Sequence, residues 1–129
     1  MADLIEETKK RILEEKESLF EMANLTPKRT GLSVVIWSEQ NGESRNKPDN
    51  EPRFKITGDD FEVSYSLEEN PRKLAQSGKI KQSDKNHIKE AIEYVVRNLD
   101  LFLKHFNTSA LEFDDDDLKE ALRERGEYK

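Results

Sequence analysis

The chain contains no cysteine in 129 residues, which excludes disulfides, thiolate nucleophiles and Cys-based zinc sites. Histidine is nearly as scarce: His87 and His105 are the only two. If both lie on one helix they are five turns apart, roughly 27 Å by the helical rise, so they cannot ligate one metal or act as a pair. Glycine is limited to 5 residues, none of them in an array that could cradle a phosphate. No Ser-His-Asp set, nucleophile elbow or spaced metal-ligand set is legible. The chain is therefore expected to be no enzyme and to carry no cofactor or metal. No apolar run approaches membrane-spanning length. The start, Met-Ala-Asp-Leu-Ile-Glu-Glu, lacks the basic stretch and apolar core of a secretory signal. A cytoplasmic protein without membrane association is the expectation.

What is plentiful is charge. Charged residues make up 39% of the chain and apolar residues 33%, with a mean hydropathy of −0.96. Such values approach those of disordered chains, so any core must be concentrated. Most large apolar residues do fall in 32–37, 54–67 and 88–106. The net charge of −6 is uneven: residues 1–27 hold 4 bases and 7 acids, and residues 105–129 hold 4 bases and 8 acids. Both ends are acidic and the middle is nearly neutral, which argues against steering of the whole protein toward nucleic acid.

Residues 3–23 read as an amphipathic helix, with Leu4, Ile5, Ile12, Leu19, Phe20 and Ala23 near helical spacing. Pro27 follows its end. The β-branched run 32–37 is the first strand, the polar stretch 39–52 a long loop, and 53–57 the second strand. Gly58-Asp59-Asp60 makes a tight turn into a third strand, 61–67, where Phe61, Val63, Tyr65 and Leu67 alternate with Glu62, Ser64 and Ser66. A basic connector from Asn70 through Gly78 leads to the main helix, 83–106, capped by Ser83 or Asp84. Ile88, Ala91, Ile92, Val95, Leu99, Phe102, Leu103 and Phe106 line one face of it. A short helix around Leu118–Leu122 closes the chain.

This order predicts an α+β fold, αβββα plus a short C-terminal helix: a three-stranded antiparallel sheet backed by a long helix. The organisation expected is an N-terminal helix (1–27), a βββα core domain (28–107) and an acidic tail with a short helix (108–129).

Three groups of residues are candidates for contact with a partner. Alternation puts Trp37, Arg53 and Lys55 on the sheet face opposite Val34, Ile36, Phe54 and Ile56, and an aromatic flanked by bases suits a protein hot spot or a stacked base. The consecutive acids Asp114, Asp115, Asp116 and Asp117 suit a basic partner surface. They also suit the N-terminus of the short helix, and their spacing is not that of a calcium loop. Lys79, Lys81, Lys85 and Lys89 gather at the start of the main helix, where they could track phosphates without reading sequence. His105, near the end of that helix, is placed to serve its dipole.

The segment Asn50-Glu51-Pro52-Arg53-Phe54-Lys55, with Gly78-Lys79-Ile80 leading to a helix that ends Asn98-Leu99-Asp100-Leu101-Phe102-Leu103-Lys104-His105-Phe106, resembles a family of small bacterial domains with a Pro-Pro-His-Phe-His-type strand. The resemblance spans about 32–107, and Arg53 and Lys55 stand where the family has histidines. Members look like halves of two-gene pairs of toxin–antitoxin type. The resemblance thus implies a bacterial or mobile-element accessory protein with a protein partner. The αβββα order is also similar to the double-stranded-RNA-binding domain, in which Lys79, Lys81 and Lys85 would occupy the phosphate-spanning place. The Lys-Lys-x-Ala-Lys signature of that domain is missing, and the N-terminal helix here is acidic. Binding to a protein is the expected function, and binding to double-stranded RNA or DNA is the alternative.

Overall fold

The computed structural model describes residues 22–40 and 51–129. The strands are β1 (Met22–Leu25), β2 (Val35–Glu39), β3 (Arg53–Thr57), β4 (Phe61–Ser66) and β5 (Lys73–Gly78). The helices are α1 (Pro27–Thr30), α2 (Gln82–Arg97), α3 (Leu99–Asn107) and α4 (Asp115–Glu124). The strands form one antiparallel sheet in the order β1-β2-β3-β4-β5.

The sheet has five strands, not the three expected. The two additional ones are its margins. β1 occupies residues assigned to the end of the N-terminal helix and the link after it. The rest of that expected helix, residues 3–21, lies outside the described residues. β5 occupies the expected basic connector. Lys73-Leu-Ala-Gln-Ser-Gly carries neither the β-branched residues nor the alternation of a strand. It is extended because its backbone pairs with β4, from Phe61↔Gly78 to Ser64↔Ala75. With five strands the αβββα likeness to the double-stranded-RNA-binding domain falls away.

The pleat sorts the side chains. Leu25, Ile36, Ile56 and Val63 lie in one cross-strand row, with Ala23, Ser38, Phe54 and Tyr65 in another on the same face. Ile88, Ala91, Tyr94 and Val95 of α2, Leu101, Phe102 and Phe106 of α3, and Leu118 and Leu122 of α4 join this inward face in a single core.

The main helix is two helices. Asn98 interrupts it at φ −117° and ψ 27°, although the apolar stripe runs on. Its side-chain amide donates to the Tyr94 carbonyl at 2.9 Å, and its Oδ1 accepts from Arg125 Nη1 at 3.3 Å. The side chain competes for a carbonyl that the helix would otherwise use, and α3 restarts from the Asn98 carbonyl. The helix also begins slightly earlier than expected. Asp84 is not the cap itself; its carboxylate accepts from the Lys81 N–H at 2.9 Å, satisfying an end donor from within the first turn.

Residues 108–129 pack on the core. Leu118 and Leu122 are fully buried, and Tyr128 nearly so. Arg125 donates to Asp100 through Nη1 and Nη2, and Arg97 to Glu127 through Nε and Nη2. These pairs hold the Asp100 carboxyl below the usual carboxylate range and raise both arginines. Farther on, the Lys129 N–H donates to the Arg29 carbonyl at 2.9 Å, and Arg29 Nη1 donates to the Lys129 carbonyl at 3.0 Å.

Tyr94 ties α2 to this segment by donating its hydroxyl to the Glu127 carbonyl at 2.7 Å. Burial, helped by the Glu127 charge, pushes its phenol well above its ordinary value, and burial raises Tyr65 too. A group whose folded pKa is raised contributes stability below its unfolded pKa and loses it as pH climbs toward the folded value. Urea midpoints should therefore hold to about pH 10, the free tyrosine value, and fall above it. Part of that fall should disappear in Tyr94→Phe.

Candidate functional site

The alternation read for the Trp37 face is present. Trp37 pairs with Lys55, and both project from the sheet face turned away from the α2–α4 core. Arg53 lies on the same face, opposite Ser66 on β4. Both the aromatic and the lysine are engaged. The indole N–H donates to Thr57 Oγ1 at 2.9 Å, and Lys55 Nζ lies 2.6 Å from Glu62. Trp37 is half-buried.

The acidic run divides its work. Asp114 accepts from the Asp117 N–H at 2.9 Å while Asp117 accepts from the Asp114 N–H at 3.0 Å, a reciprocal cap that starts α4. Asp115 Oδ1 accepts from His105 Nε2 at 2.8 Å. Asp116 is exposed.

His105 does lie in the last turn of its helix, α3, but the contacts of its ring go elsewhere. It is fully buried, and its Nδ1 lies 2.8 Å from the hydroxyl of Ser38. A carboxylate only accepts, so Nε2 carries a proton toward Asp115; in the neutral ring, Nδ1 then accepts from Ser38 O–H. Ser38, His105 and Asp115 form a serine–imidazole–carboxylate line that sequence reasoning missed. Ser38 is 1% exposed and His105 0%, so an acyl donor has no path to the hydroxyl. The line clips β2, α3 and α4 together. Beside it, the Gln40 side-chain amide donates to the carbonyls of Thr108 and Phe113, fixing the loop between α3 and α4.

The four lysines do not form one patch. Lys81 pairs with Asp60 at 3.2 Å, and Lys79 is exposed in the link between β5 and α2. Lys85 and Lys89 are one turn apart on α2, and neither forms an ion pair with a described residue. Both line a groove of about 990 Å³ between α2 and the β4–β5 margin. Its apolar walls are Tyr65, Ile80, Ile88, Ile92 and Val96; Lys73, Glu69 and Glu93 add further charge. No sequence signal pointed to this concavity, because one wall is the strand read as a connector. Among the described residues, no group of three or more His, Asp or Glu side chains is placed to hold a metal ion. None of the described helices is long and apolar enough to cross a membrane.

Comparison with protein-family models, curated proteins and solved structures finds no match for this chain.

Proposed function

We propose that the protein is a non-catalytic module that binds a protein partner through the groove between α2 and the β4–β5 margin. One observation carries this reading: the groove opens half-buried isoleucines and a tyrosine to the surface beside Lys85 and Lys89, which form no ion pair with a described residue. Apolar walls with a charged rim are the usual composition of a recognition groove. The likeness of residues 32–107 to halves of bacterial or mobile-element gene pairs supports a protein partner over a small molecule. A cytoplasmic product of a neighbouring gene is the first partner to test. Lys85 and Lys89 favour a second reading, contact with nucleic acid, but they flank apolar walls and do not extend a basic track.

The test is capture of the partner from host lysate at low salt, with and without nuclease. Ile92→Glu, which puts a charge into the groove wall, should reduce a nuclease-resistant, stoichiometric partner at least tenfold. Trp37→Ala should leave it unchanged. The opposite pattern would move the contact to the Trp37–Lys55 face. Material that vanishes with nuclease and elutes steeply with salt would establish the nucleic-acid reading instead.

A further inference from the structure

Resting on that protein-binding reading, we infer that the partner enters the groove as an extended, acidic and apolar segment that adds a sixth strand to β5. Among the described residues β5 has a neighbour on one side only. Its residues Lys73, Ala75, Gln76, Ser77 and Gly78 are all exposed. Its outward row of backbone N–H and C=O groups pairs with no other described strand and can take one from another chain.

The margin has few of the usual defences. No proline interrupts it, and its only charge is Lys73, whose ammonium is turned to the Gln76 side-chain oxygen. The irregular pairing is confined to the Ser64/Tyr65 end, which leaves 75–78 in regular register with β4. Side chains at Ala75, Ser77 and Gly78 are short, and the longer Gln76, whose amide donates to the Gly78 carbonyl at 3.4 Å, must give up that bond to an incoming strand.

The groove supplies the side-chain half of the recognition. In a strand laid along β5, alternate residues point to the face where α2 stands. Apolar residues at those positions would meet Ile80, Ile92 and Val96. Lys85 and Lys89, one turn apart on α2, call for carboxylates at others of the same α2-facing positions. The lengths agree: six residues of strand span about 20 Å, and the sixteen residues of α2 about 24 Å.

The experiment uses the full chain, isotope-labelled, with the eight-residue peptide Thr-Val-Thr-Glu-Thr-Val-Thr-Glu, whose alternate positions facing α2 carry both valine and glutamate. Two variants of the peptide are compared with it: one N-methylated on alternate residues, the other with lysine for glutamate. We expect the parent peptide to slow amide exchange of residues 75–78, and each variant to bind at least tenfold more weakly. Equal binding by the parent and the N-methylated peptide would mean that side chains alone fill the groove, and would overturn strand addition. Absence of binding at millimolar peptide would also overturn it. If Ile92→Glu still abolishes partner capture in either case, the groove reading stands and only the strand fails. Exchange protection of 75–78 that rises with protein concentration, without peptide, would assign the margin to a second copy. Loss of binding capacity relieved by charge reversal at Glu14, Glu15 and Glu17 would assign it to the chain's own acidic segment. Either result replaces the partner strand.

Discussion

Replacing His105 with alanine should lower the stability of the protein by about 3–5 kcal/mol, the range for emptying a large buried side chain together with stranding its partners. The imidazole is fully buried and holds Ser38 on one side and Asp115 on the other. Its removal leaves a cavity against Phe113, whose ring meets it edge-on, and a buried hydroxyl with no acceptor. Asp115 loses less, because its side chain is 34% exposed and water can replace the bond. Urea unfolding would show a lower midpoint at unchanged slope. The double variant Ser38→Ala with His105→Leu should recover a substantial part of the loss, since removing both polar partners avoids the stranded group. If His105→Ala shifts the midpoint no more than a surface substitution does, the clip contributes nothing to holding β2, α3 and α4 together.

Gly78→Ala is the second large effect, at about 2–4 kcal/mol. The residue has φ +82°, and a Cβ there would lie 2.1 Å from the Asp60 carbonyl oxygen. The left-handed conformation alone costs an L-residue roughly 1–2 kcal/mol. The contact adds to it because the obstacle is backbone. The same carbonyl accepts the Lys79 N–H at 3.1 Å, so pushing it away also breaks the exit from β5. Gly31 and Gly126 provide the control. Both have positive φ, yet a Cβ at either would meet nothing within 4 Å, and alanine there should cost only about 1–2 kcal/mol. Amide exchange would separate the cases: Gly78→Ala should speed exchange through 73–79, whereas Gly31→Ala should not. Equal effects at the two sites would mean that β5 adjusts freely.

Much of the sheet's centre was legible. β3 has the bounds expected of it, and the Phe61/Val63/Tyr65 alternation marked β4, because both strands bury one face and leave the other polar. The same rule placed Trp37 and Lys55 together. The margins were not legible. Met22-Ala-Asn-Leu is too short to show a period, and β5 has no buried residue to impose one. Both are strands by virtue of their neighbours' backbones. The reciprocal Asp114–Asp117 cap follows from local spacing and was foreseeable as a role for those acids. The Ser38–His105–Asp115 line joins residues 67 and 10 apart and carries no local signature. Asn98 shows why an unbroken apolar stripe does not guarantee an unbroken helix: its side chain bonds a residue four back and another 27 ahead. The groove depends on β5, so it was hidden for the same reason that strand was.

The bond between Lys129 and Arg29 joins residues 100 apart, and α4 packs against β1. On the ribosome, β1 to β5 are all made before the helices that cover β1 and β2. At roughly 5–20 residues per second, the interval between Gly78 and Tyr128 is about 3–10 s. Until α3 and then α4 are made, the nascent chain can pair its strands but lacks the helices that pack on β2 and β1. Contacts so distant in sequence close slowly, so this apolar sheet is the species most at risk of meeting its own kind. Slowing translation between Gly78 and α4 should therefore lower the fraction of chains that reach the native form, which the yield of folded protein from synonymous genes would check.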